Sequence, residues 1–389
     1  MIIMNETILK ALDKTKEVLE ECKANNRLVA CSISGGSDSD LLIDICESIM
    51  PHFVQYVFFD TGIEFQATKE HLKYLENRYN IKIDRRNAKC PVPLGNKKYG
   101  KPFLSKRAAE MIDRLQKHNF QWENEPYDTL AKKYPRAISA IKWWCNEGLA
   151  IKENGKINTM YGICNNPWLK EFLMKTPPPF KVSQKCCEGA KKKTAKVYEK
   201  EVKPYCMIVG VRKYEGGIRA QISQMYSYNK QHDLYHLYPL LFFTDGDKRE
   251  YAAAHNIVHS RCYTEYGMTR TGCSGCPFSP RYNADREVIH NYESRLEKAV
   301  NNMWSDVYEY TDKFHEFQRI MNLKYKRKKK CACGCVDFDP DTVAMNLKIF
   351  GREGNKMLCK ECFKKEFDWS EEEWNNEIEK FKLQGCDLF

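Results

Sequence analysis

The sequence predicts an α/β protein: a doubly wound, mainly parallel sheet, then a helical C-terminal part and a small zinc-ribbon-like tail. Three observations carry this. The first 85 residues alternate strand, helix, strand, helix, strand, the order that builds a parallel sheet through crossover helices. The strand candidates are continuous apolar runs rather than alternating ones, as in strands buried on both faces. Between residues 331 and 362, five cysteines fall in two groups, the pattern of a fold that needs a metal to hold it together. The expected organisation is residues 1–323 as the catalytic body, 324–330 as a basic linker and 331–389 as the tail.

Taken in order, residues 5–23 form a helix with Ile8, Leu9, Leu12 and Leu19 on one side. Leu28-Val29-Ala30-Cys31-Ser32-Ile33 is the first strand, and Leu41, Leu42, Ile45 and Ile49 recur at helical spacing after it. Between them lies Ser34-Gly35-Gly36-Ser37-Asp38-Ser39. Two glycines there let the backbone approach a ligand, and the free N–H groups of the first helical turn favour a phosphate. No Gly-Lys-Ser/Thr follows and the third glycine of a dinucleotide fingerprint is missing. Tyr56-Val57-Phe58-Phe59 is the second strand, ending in Asp60-Thr61-Gly62. A helix over residues 66–79 and a strand starting at Ile81 complete the alternation. Strand ends on one edge of such a sheet form its ligand crevice, which makes Asp60 a binding candidate beside its ordinary role as a turn cap.

Residues 90–180 are less regular, with a helix over 105–117 and Trp143-Trp144 read as core. Ser183-Gln184-Lys185-Cys186-Cys187 then opens a Lys-rich helix whose first-turn field favours thiolates. Met207-Ile208-Val209-Gly210 is a buried strand delivering Arg212, Glu215 and Arg219 to the crevice, where guanidinium forks match phosphate or sulfate oxygens. Thr244-x-x-Asp247 is a capping box. Arg270 leads into Cys273-Ser274-Gly275-Cys276, a Cys-x-x-Cys turn compatible with zinc, dithiol chemistry or an Fe–S cluster. In the tail, four of Cys331, Cys333, Cys335, Cys359 and Cys362 are expected to bind Zn2+.

The 42% hydrophobic content argues for a folded chain, and no apolar run reaches membrane-spanning length, which excludes a helical membrane protein. The N-terminus does not read as a signal peptide, so a cytoplasmic location is expected and the eighteen cysteines point to metal rather than to disulfides. A formal charge of +11 permits anionic partners, nucleotide or nucleic acid, without choosing between them.

The 34–39 stretch resembles the SGGxDS loop of the PP-loop superfamily. Asp60-Thr61-Gly62 with Glu64 and Thr68, the G-x-R-x-x-E-x-x-x-R run from Gly210 to Arg219, and the Thr244-x-x-Asp247 element resemble segments of its PAPS reductase family, in the same order. Within that family the chain looks most like members carried by phages and mobile elements. The resemblance covers residues 27 to about 320 and implies a PP-loop, Rossmann-like fold with an adenine nucleotide, ATP or PAPS, as substrate and sulfur as the element moved. It implies that Ser34, Gly35, Gly36, Ser37, Asp38, Ser39, Asp60, Glu215 and Arg270 surround the nucleotide, with Asp38, Arg212 and Arg219 acting in catalysis. Cys186 and Cys187 followed by Cys273 and Cys276 are similar to the four thiolates that hold a [4Fe–4S] cluster in APS-type reductases and some thiolation enzymes. One departure is Ser37, where the family often has Lys, so phosphate charge must be balanced from elsewhere.

Two enzyme readings follow from the resemblance, and one that is not enzymatic. A sulfonucleotide reductase uses a C-terminal cysteine in a Glu-Cys-Gly-x-His sequence, which this chain lacks; Cys386 is the thiol near its C-terminus. An ATP-pyrophosphatase-type sulfur transferase, acting on a nucleic acid or small acceptor, agrees better with the missing motif, the basic charge and the tail, which also offers a protein-docking surface. The third reading is a nucleotide-sensing subunit without turnover.

Overall fold

The structure is a computed structural model that describes residues 5–151, 157–326, 331–336, 338–350, 357–383 and 388. Arg327 to Lys330 of the expected linker and Cys386 lie outside the described residues. The chain divides into two compact units, one comprising Met1–Gly100, Lys185–Cys276 and Tyr282–Met303, the other Lys101–Gln184, Pro277–Arg281 and Trp304–Phe389.

The first unit is built on a six-stranded sheet: β1 (Val29–Ile33), β2 (Gln55–Asp60), β3 (Ile83–Asn87), β4 (Cys206–Val209), β5 (Tyr226–Asn229) and β6 (Leu234–Leu237), in the spatial order β3-β2-β1-β4-β6-β5. All neighbouring pairs are parallel except β5 with β6. The period of two explains the continuous apolar runs. Val29, Cys31 and Ile33 of β1, with Tyr56 and Phe58 of β2, face a core shared with α1 (Glu6–Ala24), α2 (Ser37–Ile49) and α3 (Gln66–Tyr79). Ala30 and Val57 face the opposite side, onto Tyr198 of the Lys193–Val202 helix.

The β5–β6 hairpin was not expected. Its residues Tyr-Ser-Tyr-Asn lack an apolar alternation because β5 is an edge strand with one partner. The expected helical C-terminal part breaks at Glu293, giving Tyr282–Tyr292 and one long helix Ser294–Lys326. The break has a use: the Glu293 carboxylate accepts the N–H groups of Gln66 (3.1 Å) and Ala67 (3.2 Å), capping α3, whose own N-cap Phe65 has no side chain for the task. Lys324 to Lys326 of the expected linker continue that long helix.

In the second unit, Phe103, Trp144, Phe172, Tyr310 and Phe314 centre an all-helical core, with Trp143 and Trp144 buried as expected. The tail has a core of its own, around Phe363, Trp374, Ile378 and Met345. The four-thiol site expected of a zinc ribbon is present there, and the elements around it are the helices Pro340–Phe350, Lys360–Phe367 and Glu371–Leu383. No described helix is long and apolar enough to cross a membrane.

Candidate functional site

Strand order reverses at β1, with β2 and β3 on one side and β4, β6 and β5 on the other, so the loops leaving β1 and β4 part at the sheet's switch point. A cleft of about 710 Å3 opens there. Ser34, Gly36, Ser37, Asp38 and Ser39 of the loop line it with Arg212, Glu215, Arg219 and Arg270, while Gly35 faces Thr68 and Leu72 instead.

The loop conformation follows from its glycines. Gly35 has φ +67°, in the left-handed region, and a Cβ there would stand 2.8 Å from Thr68 Cγ2. Gly36 is the N-cap of α2 and makes no side-chain cap, so Ser37 and Asp38 stand inside the first helical turn rather than capping it. The hydroxyls organise the backbone instead. Ser34 N–H donates to Ser39 Oγ (2.8 Å), and Ser37 N–H donates to the Tyr263 hydroxyl (3.2 Å), itself 3.1 Å from Thr271 Oγ1.

Charges alternate across the cleft. Lys248 Nζ pairs with Asp38 and donates to Ser37 Oγ at 2.9 Å; the other Asp38 oxygen faces Arg212 Nε at 3.5 Å; Arg212 donates to Asp245 at 2.8 Å. Burial works against the Arg212 charge, but the Asp245 hydrogen bond and the Asp38 charge outweigh it and raise its pKa. Glu215 pairs with Arg219 and lies 3.9 Å from the exposed Arg270. Asp60 accepts the Gly62 N–H at 2.7 Å as a turn cap, and from that segment it is Glu64 that lines the cleft, its carboxyl pushed up by burial against a 2.6 Å hydrogen bond from Thr61.

Behind the loop, α2 carries two buried carboxylates. Asp40, fully buried, is 2.7 Å from His71 Nε2 and 2.7 Å from His259 Nδ1. Asp44 accepts from Tyr79 (2.9 Å) and Tyr251 (2.8 Å) and pairs with His255 (2.7 Å). His255 and His259 are thus clamps that hold their segment, and Tyr263 with it, against α2.

Cys186 and Cys187 form a short helical turn that runs into a π-helix, Glu188–Lys192, a geometry frequent at functional sites. Cys273 and Cys276 occupy a turn held to the β2 end by Ser274 N–H donating to Ile63 O at 3.1 Å and by the Cys273 thiol reaching Thr61 Oγ1 at 3.7 Å. The Cys186 thiol feels the other three: a hydrogen bond that it donates to Cys187, burial, and the charges of Cys187, Cys276 and Cys273 all push it well up. Thiols that oppose one another's ionisation are a donor set suited to a cation. Lys191 joins this group to the cleft it lines. Crowding disfavours its charge, but the facing Cys273, Glu64 and Cys187 groups prevail and raise its pKa. Cys90 adjoins the set: its Sγ and Cys186 Cβ both stand within 3.8 Å of where a Cβ on Gly95 would lie.

In the tail, ligand atoms of Cys331, Cys333, Cys359 and Cys362 all lie within 4.8 Å of one another, and among the described residues no other group of three or more Cys, His or carboxylate ligands is so tight. A tetrahedral Zn–S bond of about 2.3 Å sets sulfurs about 3.8 Å apart, and Cys333 and Cys359 Sγ are 3.7 Å apart. Cys335 serves through its carbonyl, which accepts the Cys331 N–H at 2.9 Å. Burial raises the Cys331 pKa, but N–H groups of Cys333 and Cys359 outweigh it and lower it to about 6.

A family model described as phosphoadenosine phosphosulfate reductase domain matches residues 28–143 and 149–279. The chain belongs to the PAPS reductase family. The match includes the loop, the arginine segment and all four body thiols, and ends before the tail. An uncharacterised protein of Methanocaldococcus jannaschii is 22% identical over 298 residues, 77% of this chain and 52% of that one, so the chain spans about half the length of that relative. Among solved structures, the PAPS reductase of Candida auris in a phosphate complex is 13% identical at TM-score 0.36, over 70% of this chain and 97% of that one. The U34-tRNA thiolase of Methanococcus maripaludis with its [4Fe–4S] cluster is 12% identical at TM-score 0.31, over 77% and 78%.

Lys191, Lys192, Lys248 and Tyr263 also line the cleft and escaped the reading of the sequence. A Lys-rich helix reads as solvated, and Tyr263 carries no local signal at all. For Lys248 there was one: the capping box fixes where its helix starts and therefore which residues occupy its first turns.

Proposed function

We propose that this PAPS reductase-family protein binds ATP in the cleft, activates an acceptor by transferring AMP to it, and directs sulfur to the activated position. The observation that carries the reading is the continuity of a phosphate-binding helix N-terminus with a four-thiol site through Lys191, which lines the cleft and faces the thiols. Attack of an acceptor oxygen on the α-phosphate forms an acceptor–O–P bond and breaks the bond to pyrophosphate. The α2 amides, Arg212 and Arg219 stabilise the charge that develops on the phosphate oxygens, because dipoles and cations already in place need no reorganisation. Glu215 orients Arg219. A hydrosulfide-level donor then attacks the activated acceptor carbon, forming the C–S bond as the C–O bond to AMP breaks and AMP leaves, with no change of oxidation state overall.

Cys186, Cys187, Cys273 and Cys276 hold, in this reading, a [4Fe–4S] cluster, which supplies iron able to carry sulfur. Cys331, Cys333, Cys359 and Cys362 hold a structural zinc. The net charge of +11 suits an anionic acceptor such as a nucleic acid.

The test is chromatography of adenine products after incubating anaerobically reconstituted protein with ATP and, separately, with PAPS and a thiol reductant. AMP and pyrophosphate from ATP are expected. Adenosine 3′,5′-bisphosphate and sulfite from PAPS would establish a reductase instead, and binding without product would leave a nucleotide-sensing subunit.

A further inference from the structure

We propose that Lys248 is the cation of the phosphate seat at the head of α2, supplied by a different helix from the one that carries the seat. The inference rests on the nucleotide reading above. The six residues of the loop include no basic side chain, so within the loop a phosphate meets only amide and hydroxyl dipoles. The fold brings a positive charge to that point from 211 residues downstream, as Lys248 Nζ donates to Ser37 Oγ at 2.9 Å and pairs with Asp38, its side chain only 15% exposed.

The placement is rigid. Lys248, Tyr251 and His255 follow one another at i, i+3 and i+7, one face of a helical path, and all three are tied to α2: Lys248 at Ser37 and Asp38, the other two at Asp44. Elsewhere on the Asp245–Ala254 helix, the Thr244–Asp247 capping box fixes its start, and the Asn5 side chain donates to Asp247 (2.6 Å) and Glu250 (2.9 Å). An ammonium carries three donors. One stays on Ser37 Oγ, and another meets an oxygen of a phosphate seated on the α2 amides. Asp38 keeps its charge balanced because Arg212 faces its second oxygen. Lys248 and Arg212 therefore bracket Asp38, which acts as the post that spaces two cations along the phosphate chain.

Calorimetric titration of the full-length protein with inorganic pyrophosphate and with ATP tests this. Lys248→Met keeps the apolar stem and removes the charge; it is expected to weaken both ligands about 10- to 100-fold, the loss of one charge-assisted hydrogen bond. Lys248→Arg is expected to bind both. Ser37→Lys combined with Lys248→Met returns a cation to the same helical turn and is expected to recover most of the loss, a gain that a merely structural lysine would not show. Circular dichroism confirms that each variant is folded. Wild-type protein that binds both ligands beside a folded Lys248→Met that binds them equally well overturns this inference and leaves the nucleotide reading standing. Wild-type protein that binds neither overturns both. Should Lys248→Met not fold, the double variant decides: recovered binding supports the inference and a folded double variant without binding overturns it.

Discussion

Gly35→Ala is the substitution that most directly probes the loop, because two separate penalties can be counted at that position. The backbone sits at φ +67°, which costs a residue with a Cβ about 1–2 kcal/mol. The new methyl would also stand 2.8 Å from Thr68 Cγ2 and 3.5 Å from Leu72 Cδ2. Neither neighbour has room to retreat, since both are 1% exposed and Thr68 is further held by a 3.8 Å contact with Cys262 Sγ. Overpacking of this kind adds about 1–3 kcal/mol, for a total of about 2–5 kcal/mol. The two parts separate in a double mutant. Thr68→Ser deletes Cγ2 and keeps the hydroxyl, so Gly35→Ala with Thr68→Ser retains the backbone cost and sheds most of the clash, a favourable coupling of about 1–2 kcal/mol. All seven tryptophans lie outside the unit that contains the loop, so tryptophan emission does not report on it. Amide hydrogen exchange of peptides spanning β1 and α2 does. Faster exchange and lost pyrophosphate binding are expected in Gly35→Ala, with partial return in the double mutant. Wild-type protection in the single mutant, or a double mutant no better than the single, would refute the geometry.

What could be read from the sequence is what local pattern dictates. Burial on both faces makes β1 and β2 continuous apolar runs, and Gly35-Gly36 punctuates the turn between a strand and a helix, so the loop, its helix and the arginine segment after β4 were legible. What could not be read depends on groups joined only by the crossovers. Glu293 caps a helix that begins at Gln66, and Tyr263 reaches the amide of Ser37. Asp40 and Asp44, in sequence ordinary acids of an amphipathic helix, are buried because histidines and tyrosines from α3 and from residues 251–259 close over them. The choice among Cys331, Cys333 and Cys335 was undecidable by spacing, and it turns on which backbone carbonyl closes the turn.

Two further outcomes follow from the metal and titratable groups. Metal analysis of the full-length protein should show zinc lost on Cys333→Ser or Cys359→Ser with iron retained, iron lost on Cys273→Ser with zinc retained, and both kept on Cys335→Ser; zinc loss in Cys335→Ser would remove the assigned quartet. His236, on β6, gives a dependence on pH whose direction is set by burial. Its ring is 9% exposed, and burial, then the nearby His232, lower its pKa from 6.5 to about 4. Between those values the unfolded chain takes up a proton that the folded protein refuses, so this residue costs nothing above pH 6.5 and withdraws stability as pH falls toward 4, by about 3 kcal/mol at about 1.4 kcal/mol per pH unit. His236→Gln removes the titration, so its acid unfolding midpoint should lie below that of the wild type even if it starts less stable at neutral pH. Parallel acid unfolding curves for the two proteins would mean that His236 takes up its proton in the folded state and that its burial carries no such cost.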